Sequence, residues 1–172
     1  GSLVLSFSIV IPFIVGRACL ASAEAHRDLL QILVVAGLAY TIPMLIEIRL
    51  SPQLHTWIFG YFPHDGGFMQ AVRSGGFRPV VFMGHGLLVA TFAMFVTIAA
   101  AALWRDKLSA GGRYLLKTGY MFGVLVLCKT LGALLFAIIA LPLVMLTSTR
   151  VQIRVASIMV LIAVAYPALR GA

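Results

Sequence analysis

Apolar residues run in long blocks along this chain, and polar residues collect in short clusters between them. Blocks at 3–21, 29–46, 80–104, 118–146 and 155–169 predict helices on the scale needed to cross a hydrocarbon core of roughly 30 Å. Pro12 and Arg17 interrupt the first block, Pro43 the second, and Pro142 lies near the end of the fourth. The third is the cleanest, with His85 as its one ionisable residue, whereas Lys129 sits deep within the fourth. The fifth is short, carries Pro167, and reads as a pass that is tilted, partial or cut by the chain end. The pattern therefore predicts an all-α fold: a polytopic α-helical integral membrane protein, one membrane domain over 1–172 with about five transmembrane helices. Five passes without terminal tails are few for a polytopic enzyme, so we expect a fragment of a larger protein, missing passes at one or both ends.

Composition narrows the class. The chain is 62% hydrophobic and only 10% charged, with a mean hydropathy of +1.06, whereas a soluble domain carries about a quarter charged residues. The net charge of +8 would suggest nucleic acid in a soluble protein. Here no basic patch stands apart from the apolar blocks, so the charge reflects membrane topology and anionic lipid or lipid phosphate. Cys19 and Cys128 both fall in apolar blocks and lack a CxxC partner, which argues against a disulfide framework or zinc site.

The connections are unequal. The cluster 105–117 holds Arg105, Lys107, Arg113 and Lys117 against one acid, Asp106, and is the strongest cytoplasmic signal in the chain. It predicts 22–28 inside, with 49–78 and 147–154 outside. The 49–78 connection is too long for a passive link and is expected to be functional.

Candidate chemistry concentrates there. Pro79 fits the first position of a helix, which would set Arg78 at the helix entrance and His85 two turns, or roughly 10 Å, deeper on the same face. An arginine above a histidine at the positive end of a helix suits a phosphate group. Arg73 and Arg78 flank Gly75-Gly76, a pair that lets backbone approach a ligand closely. Glu47, two residues before Arg49, is a candidate general base or arginine partner. Trp57, Phe59, Tyr61, Phe62 and Phe68 suit either an interfacial aromatic belt or stacking on sugar rings. His55 and His64 lack zinc-like spacing and are expected to face solvent or headgroups, so no metal is predicted. Lys129 lies about 18 Å along a helix from Lys117, a depth at which a lysine needs an acid, a carbonyl or a water-filled cavity.

Two stretches carry a resemblance. Gly76-Phe77-Arg78-Pro79 through Gly84-His85-Gly86 precedes a long helix, and Leu127-Cys128-Lys129-Thr130-Leu131-Gly132-Ala133 follows a basic inner loop. With the upstream Glu47-Ile48-Arg49-Leu50-Ser51-Pro52-Gln53-Leu54-His55, the chain resembles the bacterial O-antigen ligase and O-antigen polymerase family over roughly 46–146. One departure is Cys128-Lys129-Thr130, where the family's segment has an arginine after a serine. The resemblance implies a multi-pass protein of the bacterial inner membrane. It implies transfer or polymerisation of a glycan from an undecaprenyl-diphosphate-linked donor to an acceptor glycan at the outer face, with no cofactor. Catalytic roles would fall to His85, Arg78 and Glu47, and substrate binding to Arg73, Arg49, Trp57, Tyr61 and Lys129. The expected partners are the two glycan substrates, membrane lipids and further membrane passes, with no nucleic acid. The competing expectation is a transporter or channel segment for an anionic or lipid-linked solute, which would favour a pseudo-symmetric repeat of broken helices. The sequence has no such repeat.

Overall fold

The computed structural model describes residues 2–62, 71–73, 75–106 and 111–170. Among them the chain forms seven helices and one small hairpin. The helices are α1 (Ser2–Cys19), α2 (Ala23–Leu50), α3 (Leu54–Phe59), α4 (Gly86–Arg105), α5 (Gly111–Leu127), α6 (Leu131–Leu146) and α7 (Thr149–Arg170). The hairpin pairs β1 (Val72–Arg73) with β2 (Gly76–Phe77) in antiparallel register, Val72 opposite Phe77 and Arg73 opposite Gly76. His64, Asp65, Phe68 and Lys107 lie outside the described residues.

Helix α4 is the hub, packed by α2, α5 and α6. Its buried face is built from small residues, with Ala90, Ala93, Ala100 and Ala101 fully covered and Val89 and Val96 between them. Small side chains let helix backbones approach closely, which is how helices associate where lipid is as apolar as the core. The tightest approach is at Gly37 of α2, where a Cβ would lie 2.5 Å from both methyls of Val96. Thr97 hides its hydroxyl by donating to the Ala93 carbonyl at 2.7 Å, and Thr41 donates to the Leu38 carbonyl at 2.6 Å.

Bonds at the two ends fix the running direction of each helix. At one end Arg27, in the first turns of α2, meets Asp106 just past α4, with Nη2 2.6 Å and Nε 2.8 Å from Oδ2. There too Arg105 Nη1 donates to the Val144 carbonyl near the end of α6 at 2.7 Å. At the other end Glu47, near the end of α2, binds the segment before α4, and Arg78 binds Thr130 at the start of α6. So α2 and α4 are antiparallel, α4 and α6 are parallel, and α5 runs antiparallel to both.

This corrects the expectation of one helix over 118–146. The chain reverses at Cys128–Thr130: the Cys128 and Lys129 amides close the last turn of α5, Lys129 takes φ +51°, and Thr130 is extended. The reversal also moves 147–154 to the same end as Arg105, rather than to the opposite face. The basic groups Arg27, Arg105, Arg113, Arg150 and Arg154 then belong to one end of the bundle, and the charge contrast is stronger than the sequence reading made it.

The count of five membrane passes is not supported. Among the described residues, three helices are long and apolar enough to cross a membrane: Ala23–Leu50, Gly86–Arg105 and Thr149–Tyr166. Helix α6 and the Phe7–Cys19 part of α1 are apolar but shorter, and α5 carries Arg113 and Lys117. The described helices also extend past the predicted limits, α2 beginning at Ala23 rather than 29 and α7 at Thr149 rather than 155. Ser22 explains the early start of α2, since its hydroxyl accepts the Ala25 amide at 3.1 Å and caps the helix.

Candidate functional site

The segment 78–85 is not helical, which overturns the expectation that Pro79 opens the third helix. Polar side chains on one face of α2 take its amides before they can enter a helix. Glu47 Oε2 accepts from the Val80 amide at 2.8 Å and the Val81 amide at 2.7 Å, and Oε1 accepts from the Leu54 amide at 3.2 Å. Two turns earlier, Tyr40 Oη accepts from the Phe82 amide at 3.2 Å. Val81 is held at φ +47° and Gly84 at +74°. A β-branched residue in that region is strained, so the surrounding bonds must hold it there. Glu47 is 1% exposed, and its three hydrogen bonds are to backbone amides rather than to Arg49, which lies exposed in the last turn of α2.

Helix α4 therefore begins at Gly86, and His85 is its N-cap rather than a residue two turns inside. His85 Nδ1 accepts from the Leu87 amide at 2.9 Å. An accepting Nδ1 leaves the proton of the neutral ring on Nε2.

Arg78 reaches from the end of the hairpin to the reversal between α5 and α6. Its amide donates to the Ala71 carbonyl at 2.8 Å, and its Nε donates to Thr130 Oγ1 at 3.1 Å. The Thr130 hydroxyl in turn donates to the Cys128 carbonyl at 3.1 Å. The arginine side chain lies directly over Gly86, where a Cβ would meet its Cγ, Cδ and Nε at 2.8 Å. Lys129, half-buried at the reversal, sends its side chain across the hairpin, where a Cβ on Gly76 would collide with Nζ. Each glycine is thus the floor beneath a cation. Arg73 stands in β1 opposite Gly76, which brings its backbone to the same corner.

Two helix N-termini flank these cations: α4 starts under Arg78, and α6 starts at Thr130, whose hydroxyl is committed elsewhere and makes no cap bond. The first-turn amides of each carry partial positive charge. Among the described residues, the corner thus gathers one guanidinium, one ammonium and two helix N-termini.

Helix α3 borders this corner. His55 is buried, its Nδ1 donating to the Tyr61 carbonyl at 3.0 Å and its ring packed against those of Phe59, Tyr61 and Phe82. That corrects the expectation that it faces solvent or headgroups: the ring pins α3 to the strained segment through Phe82. Trp57 and Tyr61 are 61% and 60% exposed, leaving both rings available at the surface.

The structure thus brings together Arg78, His85, Lys129 and the hairpin that carries Arg73, and it sets Glu47 behind them. Tyr40, Thr130 and Gly86 also build the corner, and the sequence reading assigned none of them a role; Gly76, read as room for backbone to approach a ligand, lies beneath the Lys129 side chain. The readable signal was the polar pair Tyr40 and Glu47, seven residues apart on one face of an apolar helix. No protein-family model, curated protein or solved structure matches the chain.

Proposed function

We propose that this chain is part of a bacterial inner-membrane glycosyltransferase of the O-antigen ligase or polymerase type. Such an enzyme moves a glycan from an undecaprenyl-diphosphate-linked donor to an acceptor glycan at the outer face. The observation that carries the reading is the convergence of Arg78 and Lys129 at the Cys128–Thr130 reversal, between the starts of α4 and α6. The two sequence stretches that resemble this family are the two that meet there.

The chemistry asks little else of the protein. The acceptor hydroxyl oxygen attacks the anomeric carbon, the bond from that carbon to the diphosphate oxygen breaks, and the hydroxyl proton passes to water. Charge builds on the departing diphosphate, and preformed positive groups in a dry site stabilise it strongly. Arg78 offers a planar fork to phosphate oxygens, and Lys129 a second positive charge. His85, with its proton on Nε2, is suited to donate to the diphosphate. A base role would require giving up the Leu87 amide bond. Trp57 and Tyr61 provide exposed faces for a sugar ring.

Orientation follows the same logic. The end holding Arg27, Arg105, Arg113, Arg150 and Arg154 takes the cytoplasmic side under the positive-inside rule, which turns the Arg78 corner outward. The test is in cells carrying the intact gene, with Arg78→Ala and Lys129→Ala variants. Long envelope glycans should disappear while lipid-linked oligosaccharide accumulates: single repeats for a polymerase, long chains for a ligase. A normal glycan profile in both variants would overturn the proposal.

A further inference from the structure

Glu47 is the one buried carboxylate among the described residues, and its geometry defines a different task from that of the cationic corner. Both carboxylate oxygens accept backbone N–H groups, Oε2 from Val80 and Val81 and Oε1 from Leu54, in a place where the side chain is 1% exposed. Those amides belong to two separate segments, the start of α3 and the unwound run before α4. Val80 and Val81 are themselves buried, so without an acceptor their amides would be left unpaired in the core. The Val81 backbone is at φ +47°, a conformation that needs outside support. Arg78 lies two residues before this clamp and His85 four after it.

We propose that Glu47 is a positioning residue: it sets Arg78 and His85 by clamping the Val80–Val81 turn and the start of α3, and it takes no proton in the reaction. This rests on the transferase reading for what the positioned residues do, but the clamp itself is independent of that reading. A carboxylate is the side chain the place requires. Two amides converge on one oxygen and a third approaches the other, so three of its roughly four lone-pair directions face a donor. A glutamine keeps one accepting oxygen for the Val80 and Val81 pair but turns an NH₂ toward the Leu54 amide. An aspartate is one methylene short of the turn.

The test compares Glu47→Gln, Glu47→Asp, Glu47→Ala and Tyr40→Phe in the full-length protein, using two readouts. The first is hydrogen–deuterium exchange of the peptide spanning 78–86. The second is glycan transfer from undecaprenyl-diphosphate-linked oligosaccharide. Glu47→Gln should keep the Val80 and Val81 amides protected and retain turnover to within about tenfold, whereas Glu47→Ala should release them and lose roughly 100-fold or more. Tyr40→Phe removes only the Phe82 acceptor, giving a mild version of the same effect, and Glu47→Asp stands in if Glu47→Ala fails to fold. Equal loss of turnover in Gln and Ala variants with normal exchange would overturn the proposal and put Glu47 in the chemistry. Unchanged exchange in the Ala variant, or in Glu47→Asp where the Ala variant does not fold, would overturn the clamp. If Arg78→Ala leaves transfer intact, the transferase reading falls, and the exchange result still decides whether Glu47 holds the turn.

Discussion

Gly86→Ala separates the site from the fold. The added methyl would sit 2.8 Å from Cγ, Cδ and Nε of Arg78, where ordinary contact begins at 3.4 Å. The arginine side chain must withdraw by about half an ångström or rotate away, because helix backbone is the stiffer partner. Either movement breaks or stretches its 3.1 Å bond to Thr130 Oγ1. Gly86 has no left-handed backbone to protect, and alanine is favoured over glycine within a helix by up to about 1 kcal/mol. Melting in detergent should therefore stay unchanged or rise slightly. Turnover should fall by about 10- to 100-fold, the scale expected when a charge-stabilising group shifts by a fraction of an ångström to an ångström. The assay is glycan transfer in membranes, with thermal melting of the same preparation. Turnover within twofold of the parent would refute the placement of Arg78 over Gly86 as functionally important. A fall in both quantities would mean that the helix, not the arginine, had absorbed the methyl.

Three further outcomes are expected. Lys129→Gly should melt higher than Lys129→Ala by an amount equivalent to about 1 kcal/mol, because only glycine relieves φ +51°; equal melting would mean the reversal carries no backbone strain. Gly37→Ala should destabilise by about 1–3 kcal/mol through overlap with Val96, measured by melting in detergent, and a neutral result would contradict the close approach of α2 and α4. Single cysteines at Asp106 and Arg150 should react with an impermeant thiol reagent from the same side of the membrane, and one at Gln53 from the other. Labelling of Asp106 and Arg150 from opposite sides would contradict the hairpin of α5 and α6.

Much of the architecture was legible from where apolar residues stop. The long blocks gave α2, α4 and α7, and the charge clusters set 22–28 and 105–117 at one end with 49–78 at the other. The two largest departures share a feature that no local pattern carries. The reversal at Cys128–Thr130 contains neither glycine nor proline, and its residues read as an unbroken apolar helix. Arg78 reaches Thr130 at this reversal from 52 residues away. The unwound run 80–85 owes its shape to Glu47, which takes the Val80 amide across 33 residues and the Val81 amide across 34. With that acceptor unseen, Pro79 before a clean apolar run reads as a helix start. The candidate residues themselves were found from their types, while their arrangement was not: His85 stands at the helix entrance, and Lys129 at a turn rather than deep in a span.

The central claim is that Arg78 and Lys129 together hold a lipid diphosphate. The most direct measurement is binding of undecaprenyl diphosphate to the purified full-length protein, followed by native mass spectrometry with the Arg78→Ala and Lys129→Ala variants alongside. A one-to-one complex should form that each variant weakens and that undecaprenol, lacking the diphosphate, does not form. Equal binding by the parent and both variants, or equal binding of the uncharged alcohol, would contradict it.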